Sequence, residues 1–232
     1  MRDLAGNAGH RAHDLGAATG AAARRAHAQK KTLTAAERDE VARAAWQAES
    51  AALDPGDFVF LDETATHRAM TPRYGRAPRG QRVYGAVPRN RGRNTTLIAA
   101  LTAEGIGATM TLAGALDGPA FVADIRAFLG PALRPGQIVI LDNLAVHKVA
   151  AARALIEARG CRLFFLPAYS PDFNPIAHAC AKLKEHLRRA GARTEAALHT
   201  ASASALDAVT AQDAHGWFAA CGHRPHEAQP LC

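Results

Sequence analysis

Twice in this chain, four consecutive apolar residues run straight into an aspartate. Phe58-Val59-Phe60-Leu61 precedes Asp62, and Ile138-Val139-Ile140-Leu141 precedes Asp142. A short run that is apolar at every position is not a half-exposed strand, which would alternate. It reads as a strand covered on both faces, the situation of parallel strands in α/β sheets. The aspartate then stands where the strand leaves the sheet, and open α/β sheets bind their ligands outside the carboxyl ends of their strands. If the two strands are parallel neighbours, both carboxylates enter one crevice. There each raises the other's pKa. A hard divalent cation removes the conflict, because Mg²⁺ takes such oxygen ligands while keeping several waters. Two such ions roughly 3.5–4 Å apart serve the attacking and leaving oxygens of a phosphodiester.

The rest of the chain supplies the frame for such a crevice. Thr34 to Ala52 reads as a helix, with a capping box at Thr34-Ala-Ala-Glu37 and Val41, Ala45 and Trp46 on one face. Residues 81–87, 95–102 and 106–113 read as strands, the last two joined by a turn at Glu104-Gly105. Asp117-Gly118-Pro119 opens a helix carrying Phe121, Val122, Ile125, Phe128 and Leu129 at helical spacing. A helix from about His147 to Arg159 leads to a strand from Arg162 to Leu166. Three prolines force an extended loop between Pro167 and Pro175. Asn174 is then expected to cap a helix with Pro175 at its first position and Ile176, Cys180, Leu183 and Leu187 along its buried stripe. Helices over about 194–208 and 210–220 complete the order, and Trp46 and Trp217 are expected in the core. This is a mixed α/β sheet flanked by helices. No G-x-G-x-x-G follows the first strand, which argues against a dinucleotide fold.

Composition narrows the setting. Residues 1–28 are rich in Ala and Gly and poor in large apolar side chains, so they are expected to be disordered or a remnant segment. Residues 29–222 form the catalytic-type domain in this reading, and 223–232 a loose tail. No apolar run approaches a membrane span, and the N-terminus lacks a hydrophobic signal core, so a cytoplasmic location is expected. Cys161, Cys180, Cys221 and Cys232 are widely spaced and read as reduced thiols, not zinc ligands.

The net charge of +7 and pI near 9.7 suit a polyanionic partner. Much of that charge is concentrated. Between Thr64 and Ala103 stand Arg68, Arg73, Arg76, Arg79, Arg82, Arg89, Arg91 and Arg93, with no acidic residue among them. Guanidinium groups take phosphates bidentately, and Tyr74 and Tyr84 lie among them, so this stretch is the expected DNA-binding segment. The alternative is a solvated basic surface. Lys182, Lys184, Arg188, Arg189 and Arg193 read first as the exposed face of their helix.

Three motifs occur in order: Leu61-Asp62-Glu63-Thr64, Ile140-Leu141-Asp142-Asn143 with His147-Lys148, and the stretch from Leu166-Pro167-Ala168-Tyr169-Ser170-Pro171 to Asp172-Phe173-Asn174-Pro175-Ile176. They resemble the motifs of the mariner-like DDE transposases, most of all the bacterial insertion-sequence branch. The resemblance spans about residues 30 to 222. It implies an RNase H-like fold with strand order 3-2-1-4-5, a site holding Mg²⁺ or Mn²⁺, and cleavage and transfer of transposon-end DNA strands, with no small-molecule cofactor. Asp62 and Asp142 become the first two catalytic, metal-holding carboxylates. Glu63, Asn143 and His147 are candidate outer groups around them.

The chain departs from the family pattern at Ala177, where members carry the third acid, 35 residues beyond Asp142. His178 points about 100° away around the helix, and Glu185 lies roughly 12 Å further along it, so neither substitutes. The family's helix-turn-helix modules also have no counterpart in residues 1–28. Two expectations follow: a transposase catalytic domain impaired at its second metal, or a catalytically inactive, DNA-binding transposase remnant lacking the helix-turn-helix end-recognition module. Homo-oligomer formation is left open.

Overall fold

The computed structural model describes residues 34–224. The disordered-segment reading for residues 1–28, and residues 225–232 of the expected tail, lie outside the described residues.

Five strands form one sheet in the order β3-β2-β1-β4-β5, the order implied by the resemblance. They are β1 (Phe58–Thr66), β2 (Thr95–Thr102), β3 (Gly105–Ala113), β4 (Ile138–Leu141) and β5 (Arg162–Phe165). β1 pairs antiparallel with β2 and parallel with β4, so the two apolar strands are parallel neighbours. Side chains alternate faces along each strand. Phe58, Phe60, Ile138 and Ile140 pack in one core layer with Trp46, Ile176, Ala179 and Phe218. Val59, Leu61, Val139 and Leu141 pack in the other with Phe121, Ile125, Leu129 and Ile156. Both layers are fully apolar, which is why the two strands show no alternation in sequence.

Helix α1 (Glu40–Ala51) contributes Trp46 to the first layer. α2 (Gly118–Asp124) covers the second, running on through a π-helical stretch, Ile125–Leu129, into the short α3 (Gly130–Ala132). The wide turn ends at Gly130, where a Cβ would sit 2.7 Å from the Ile125 carbonyl oxygen, so only glycine fits. α4 (Ala150–Glu157) lies on that same layer, while α5 (Ile176–Ala190) and α7 (Ala211–Ala220) line the first. Residues from α5 and α6 (Glu195–Asp207) build a third cluster with Met70 and Leu97.

The local expectations need several corrections. α1 starts at Glu40, capped by Asp39, whose Oδ1 accepts from the amides of Val41 and Ala42; the Thr34–Glu37 box is not the cap. Val41 is exposed and the buried stripe is Arg43, Trp46 and Ser50, because Arg43 reaches across to Asp172 and lies over the Phe173 ring. The β2–β3 turn is Ala103-Glu104, since Thr102 and Gly105 already pair. Residues 81–87 form no strand. Pro88 follows them, and residues 72–78, which pass beside them at Gly75 and Val83, carry Pro72, Gly75 and Pro78, which deny a ladder. Trp46 is buried, whereas Trp217 is only partly so. The expected loose tail begins with an anchored residue: His223 is buried and its Nε2 lies 2.8 Å from the Phe173 carbonyl oxygen. No helix among the described residues is long and apolar enough to cross a membrane, and Cys161, Cys180 and Cys221 are free thiols.

Candidate active site

The register between β1 and β4 decides where the carboxylates meet. Phe58 pairs with Ile138 and Phe60 with Ile140, and Asp62 and Asp142 each follow two residues beyond the last of these pairs. Alternation puts Asp62 on the face of Phe58 and Phe60, toward α5, while Asp142 stands one residue beyond the end of β4. One difference from the sequence reading concerns the strand itself. Asp62 does not end β1, which continues to Thr66 on the β2 side; it is β4 that stops at Leu141, so β1 loses its parallel neighbour at that level and Asp62 faces the gap.

Asp62 and Asp142 line one cavity of about 450 Å³ with Leu144, Pro167, Tyr169 and Ala177. Ala177 sits in the first turn of α5, at the position where the resemblance places the third acid. Burial pushes the Asp62 carboxyl up; the Glu63 amide, donating to Oδ1 at 2.7 Å, offsets part of this, and the charges of Glu63 and Asp142 raise it again, to about 6. Its other oxygen, Oδ2, accepts from the Asn174 amide at 3.1 Å. Asn174 was expected to cap α5. Pro175 occupies the N-cap position without a side-chain cap, and Asn174, one residue earlier, is free to turn its amide onto Asp62.

Asp142 is held differently. Its Oδ1 accepts from the Leu144 amide at 3.0 Å and faces His147 Nδ1 at 2.6 Å, while His147 Nε2 lies 3.0 Å from Glu63 Oε2. His147 is fully buried and packs beside the Phe121 ring. Burial works against its imidazolium, but the hydrogen bonds to Asp142 and Glu63 outweigh it and raise the pKa to about 9. In return, burial raises Asp142, and the His147 and Leu144 hydrogen bonds more than reverse this, leaving it below the usual carboxylate range. Glu63 and His147 therefore form a chain that fixes one oxygen of Asp142. Asn143 is exposed and lines the same cavity. His178 stacks against Trp217, and Glu185 pairs with Arg188 and Arg189, so neither serves the position that the resemblance gives to a third acid.

The donor set fits one hard dication: two carboxylates on one side of a cavity, one of them raised by burial and by its neighbours' charge. Among the described residues no group of three or more His, Cys, Asp or Glu side chains is arranged to hold a metal ion.

The eight arginines lie along an irregular excursion between β1 and β2, spanning residues 67–94. Arg68 packs against Gly92 at its neck, and Gly75 meets Val83 further out. Arg73, Arg76, Arg79, Arg82, Arg89, Arg91 and Arg93 are exposed, as are Tyr74 and Tyr84. None of the eight forms an ion pair with a described carboxylate. The second basic cluster is internally partnered: Lys182 pairs with Asp213, and Arg193 donates to the carbonyls of Arg68 and Met70.

Residues 57–199, more than half of the chain, match the family described as DDE superfamily endonuclease. The chain belongs to that family. Its fold is that of the Mos1 mariner transposase. The Mos1 paired-end complex with left transposon end aligns at TM-score 0.67 and 15% identity over 85% of this chain and 63% of the Mos1 chain. The Mos1 paired end complex with Mn aligns at TM-score 0.65 and 16% identity, over 86% and 64%. The Mos1 catalytic domain with Raltegravir and Mg aligns at 0.54 and 15%, over 79% of this chain and 89% of that one. This DDE-family chain thus spans less than two thirds of the length of the Mos1 chains in these two paired-end complexes. No curated protein sequence matches it.

Proposed function

We propose that this chain is a DDE transposase catalytic domain that handles transposon-end DNA and is impaired in strand cleavage by Ala177. The observation that carries the proposal is the cavity shared by Asp62, Asp142 and Ala177, with the third position of the carboxylate set filled by a methyl group. In this reading Asp62 and Asp142 hold a single Mg²⁺ or Mn²⁺, which would polarise a phosphodiester oxygen when bound. The chain's own residues do the rest. Glu63 and His147 hold Oδ1 of Asp142, leaving Oδ2 for the cavity; Asn174 orients Asp62; Asn143 stands at the rim for substrate. The exposed arginines between Arg68 and Arg93 clamp the DNA backbone without reading its sequence.

The inactive-remnant reading shares every element except residual cleavage. A nicking assay on supercoiled DNA with Mn²⁺ separates the two. Weak cleavage that Asp142→Asn abolishes supports an impaired enzyme. No cleavage above that of Asp142→Asn supports the remnant.

A further inference from the structure

Tyr169 is the only non-glycine residue among those described with a left-handed backbone, at φ 55°. That region favours glycine or asparagine, and a bulky aromatic there is an outlier. The loop does not need the ring to hold its shape. The Leu166 amide donates to the Leu141 carbonyl at 2.8 Å, Ser170 Oγ donates to the Ala168 carbonyl at 3.2 Å, and the Phe173 amide donates to the Ser170 carbonyl at 3.1 Å. Beyond them Asp172 is clamped by Arg43, and Phe173 is stacked on Trp46 with ring centroids 5.1 Å apart. Both ends of the turn are fixed, yet the ring at its apex is 57% exposed and belongs to no core cluster. Strained residues persist where the surroundings over-determine them, and they cluster at ligand sites.

The cavity this ring borders has two unlike parts. One part is the pair of carboxylates. The other is an apolar wall of Leu144, Leu166, Pro167 and Ala168, with Leu144 itself 48% exposed. At about 450 Å³ the space is of the size that holds small organic groups, on the order of 300–1,000 Å³. A flat, uncharged ring with polar edges suits the wall, and a linked phosphate suits the carboxylate side once a cation is supplied. We propose that Tyr169 is the stacking platform of a nucleobase subsite, which takes an unpaired base at the end of a DNA strand; this rests on the reading of DNA as the substrate. A base inside a duplex is already stacked and cannot use the platform, whereas a frayed or overhanging end can. The subsite therefore discriminates strand ends from continuous duplex.

The test uses the full chain and DNA carrying 2-aminopurine as an unpaired terminal base, with Ca²⁺ as the added divalent cation. Tyr169→Gly removes the ring and also the backbone strain, so it folds at least as well as the natural chain; Tyr169→Phe keeps the stacking face. The natural protein and Tyr169→Phe should quench the 2-aminopurine and prefer the overhang over a blunt duplex by about tenfold, in line with one aromatic–base stack. Tyr169→Gly should lose both the quench and the preference while binding blunt duplex unchanged. Equal affinity of Tyr169→Gly and the natural chain for the overhang overturns the proposal and leaves the DNA reading standing. Absence of any salt-sensitive DNA binding by the natural chain overturns both.

Discussion

Ala177→Glu is the perturbation that bears most directly on the site. Ala177 lies in the first turn of α5 and borders the cavity, so a longer side chain there extends toward Asp62 and Asp142 without displacing core. Two opposing effects follow. The helix N-terminus favours an added carboxylate by about 0.3–1 kcal/mol. Asp62, however, is already pushed from 3.8 to about 6, which corresponds to roughly 3 kcal/mol against its ionised form, and a third charge adds to that repulsion. Without metal, the variant should therefore be less stable than the natural chain at neutral pH. With metal the sign reverses, because a dication relieves the repulsion and the third ligand tightens its hold. At Mn²⁺ one hundred times its dissociation constant, binding contributes about 2.7 kcal/mol, a rise of roughly 5–10 °C in melting temperature for a domain of this size.

The same third ligand should raise Mn²⁺-dependent nicking at least a hundredfold, since each 1.36 kcal/mol of transition-state stabilisation is tenfold in rate. The assays are a thermal melt with and without Mn²⁺ and the nicking of supercoiled plasmid. Adding Asp142→Asn should cancel both gains. If the natural chain nicks DNA and Ala177→Glu changes neither rate nor Mn²⁺-dependent melting, some other group completes the site and the reasoning fails.

Three further outcomes are expected. Replacing Arg73, Arg76, Arg79 and Arg82 by alanine should flatten the salt dependence of DNA binding, which for about four phosphate contacts has a slope near −3.6 in log affinity against log salt; an unchanged slope in a fluorescence titration would mark the excursion as a solvated surface only. His147, with a folded pKa of about 9 against 6.5, contributes stability that is fully present below pH 6.5 and lost as pH rises through 9; urea unfolding should show a fall of about 3 kcal/mol across that window, absent in His147→Gln. Asp62 acts in a lower window, because the folded state keeps a proton that the unfolded chain releases near pH 3.8. Stability should drop as pH climbs from about 4 to about 6, and Asp62→Asn should remove the drop; a curve unaltered by Asp62→Asn contradicts the burial argument.

Some of this molecule is legible from sequence and some is not, for reasons that differ residue by residue. The apolar runs before Asp62 and Asp142 carry their own interpretation, because burial on both faces leaves no polar position, and the parallel pairing of β1 with β4 follows. The continuation of β1 to Thr66 is hidden, since Asp62-Glu63 reads as a stop while the backbone goes on pairing with β2 regardless of side-chain polarity. Residues 81–87 have strand-like composition but no partner segment able to ladder with them, a defect visible only when both sides of a pairing are considered together. Asn174 shows the limit of local rules: Asn-Pro before an apolar stripe looks like a cap, yet the amide is engaged 112 residues away in sequence, at Asp62. The link from His147 to Asp142 is local, five residues apart, and is closed by the single 3₁₀ turn Ala145–His147; its second contact, to Glu63, requires the sheet.

These attachments also explain how the fold stands with an alanine at position 177. Asp142, His147 and Glu63 satisfy one another through hydrogen bonds of 2.6 and 3.0 Å around a fully buried ring, so removing any one leaves a polar group in the interior without a partner. Asp62 is likewise tied to the Glu63 amide and to Asn174. The side chain at position 177 has no such neighbour to satisfy. It faces the cavity from a helix end whose first turn tolerates either a methyl group or a carboxylate, and in the absence of metal the methyl group avoids a third charge beside Asp62. Folding therefore holds Asp142, Glu63 and His147 together, gains nothing from an ionised Asp62, and places no demand on an acid at position 177, which only a bound cation would require. An acid at position 177 would act through a bound cation and not through the fold, so Ala177→Glu tests metal binding while leaving the Asp142–His147–Glu63 network as it is.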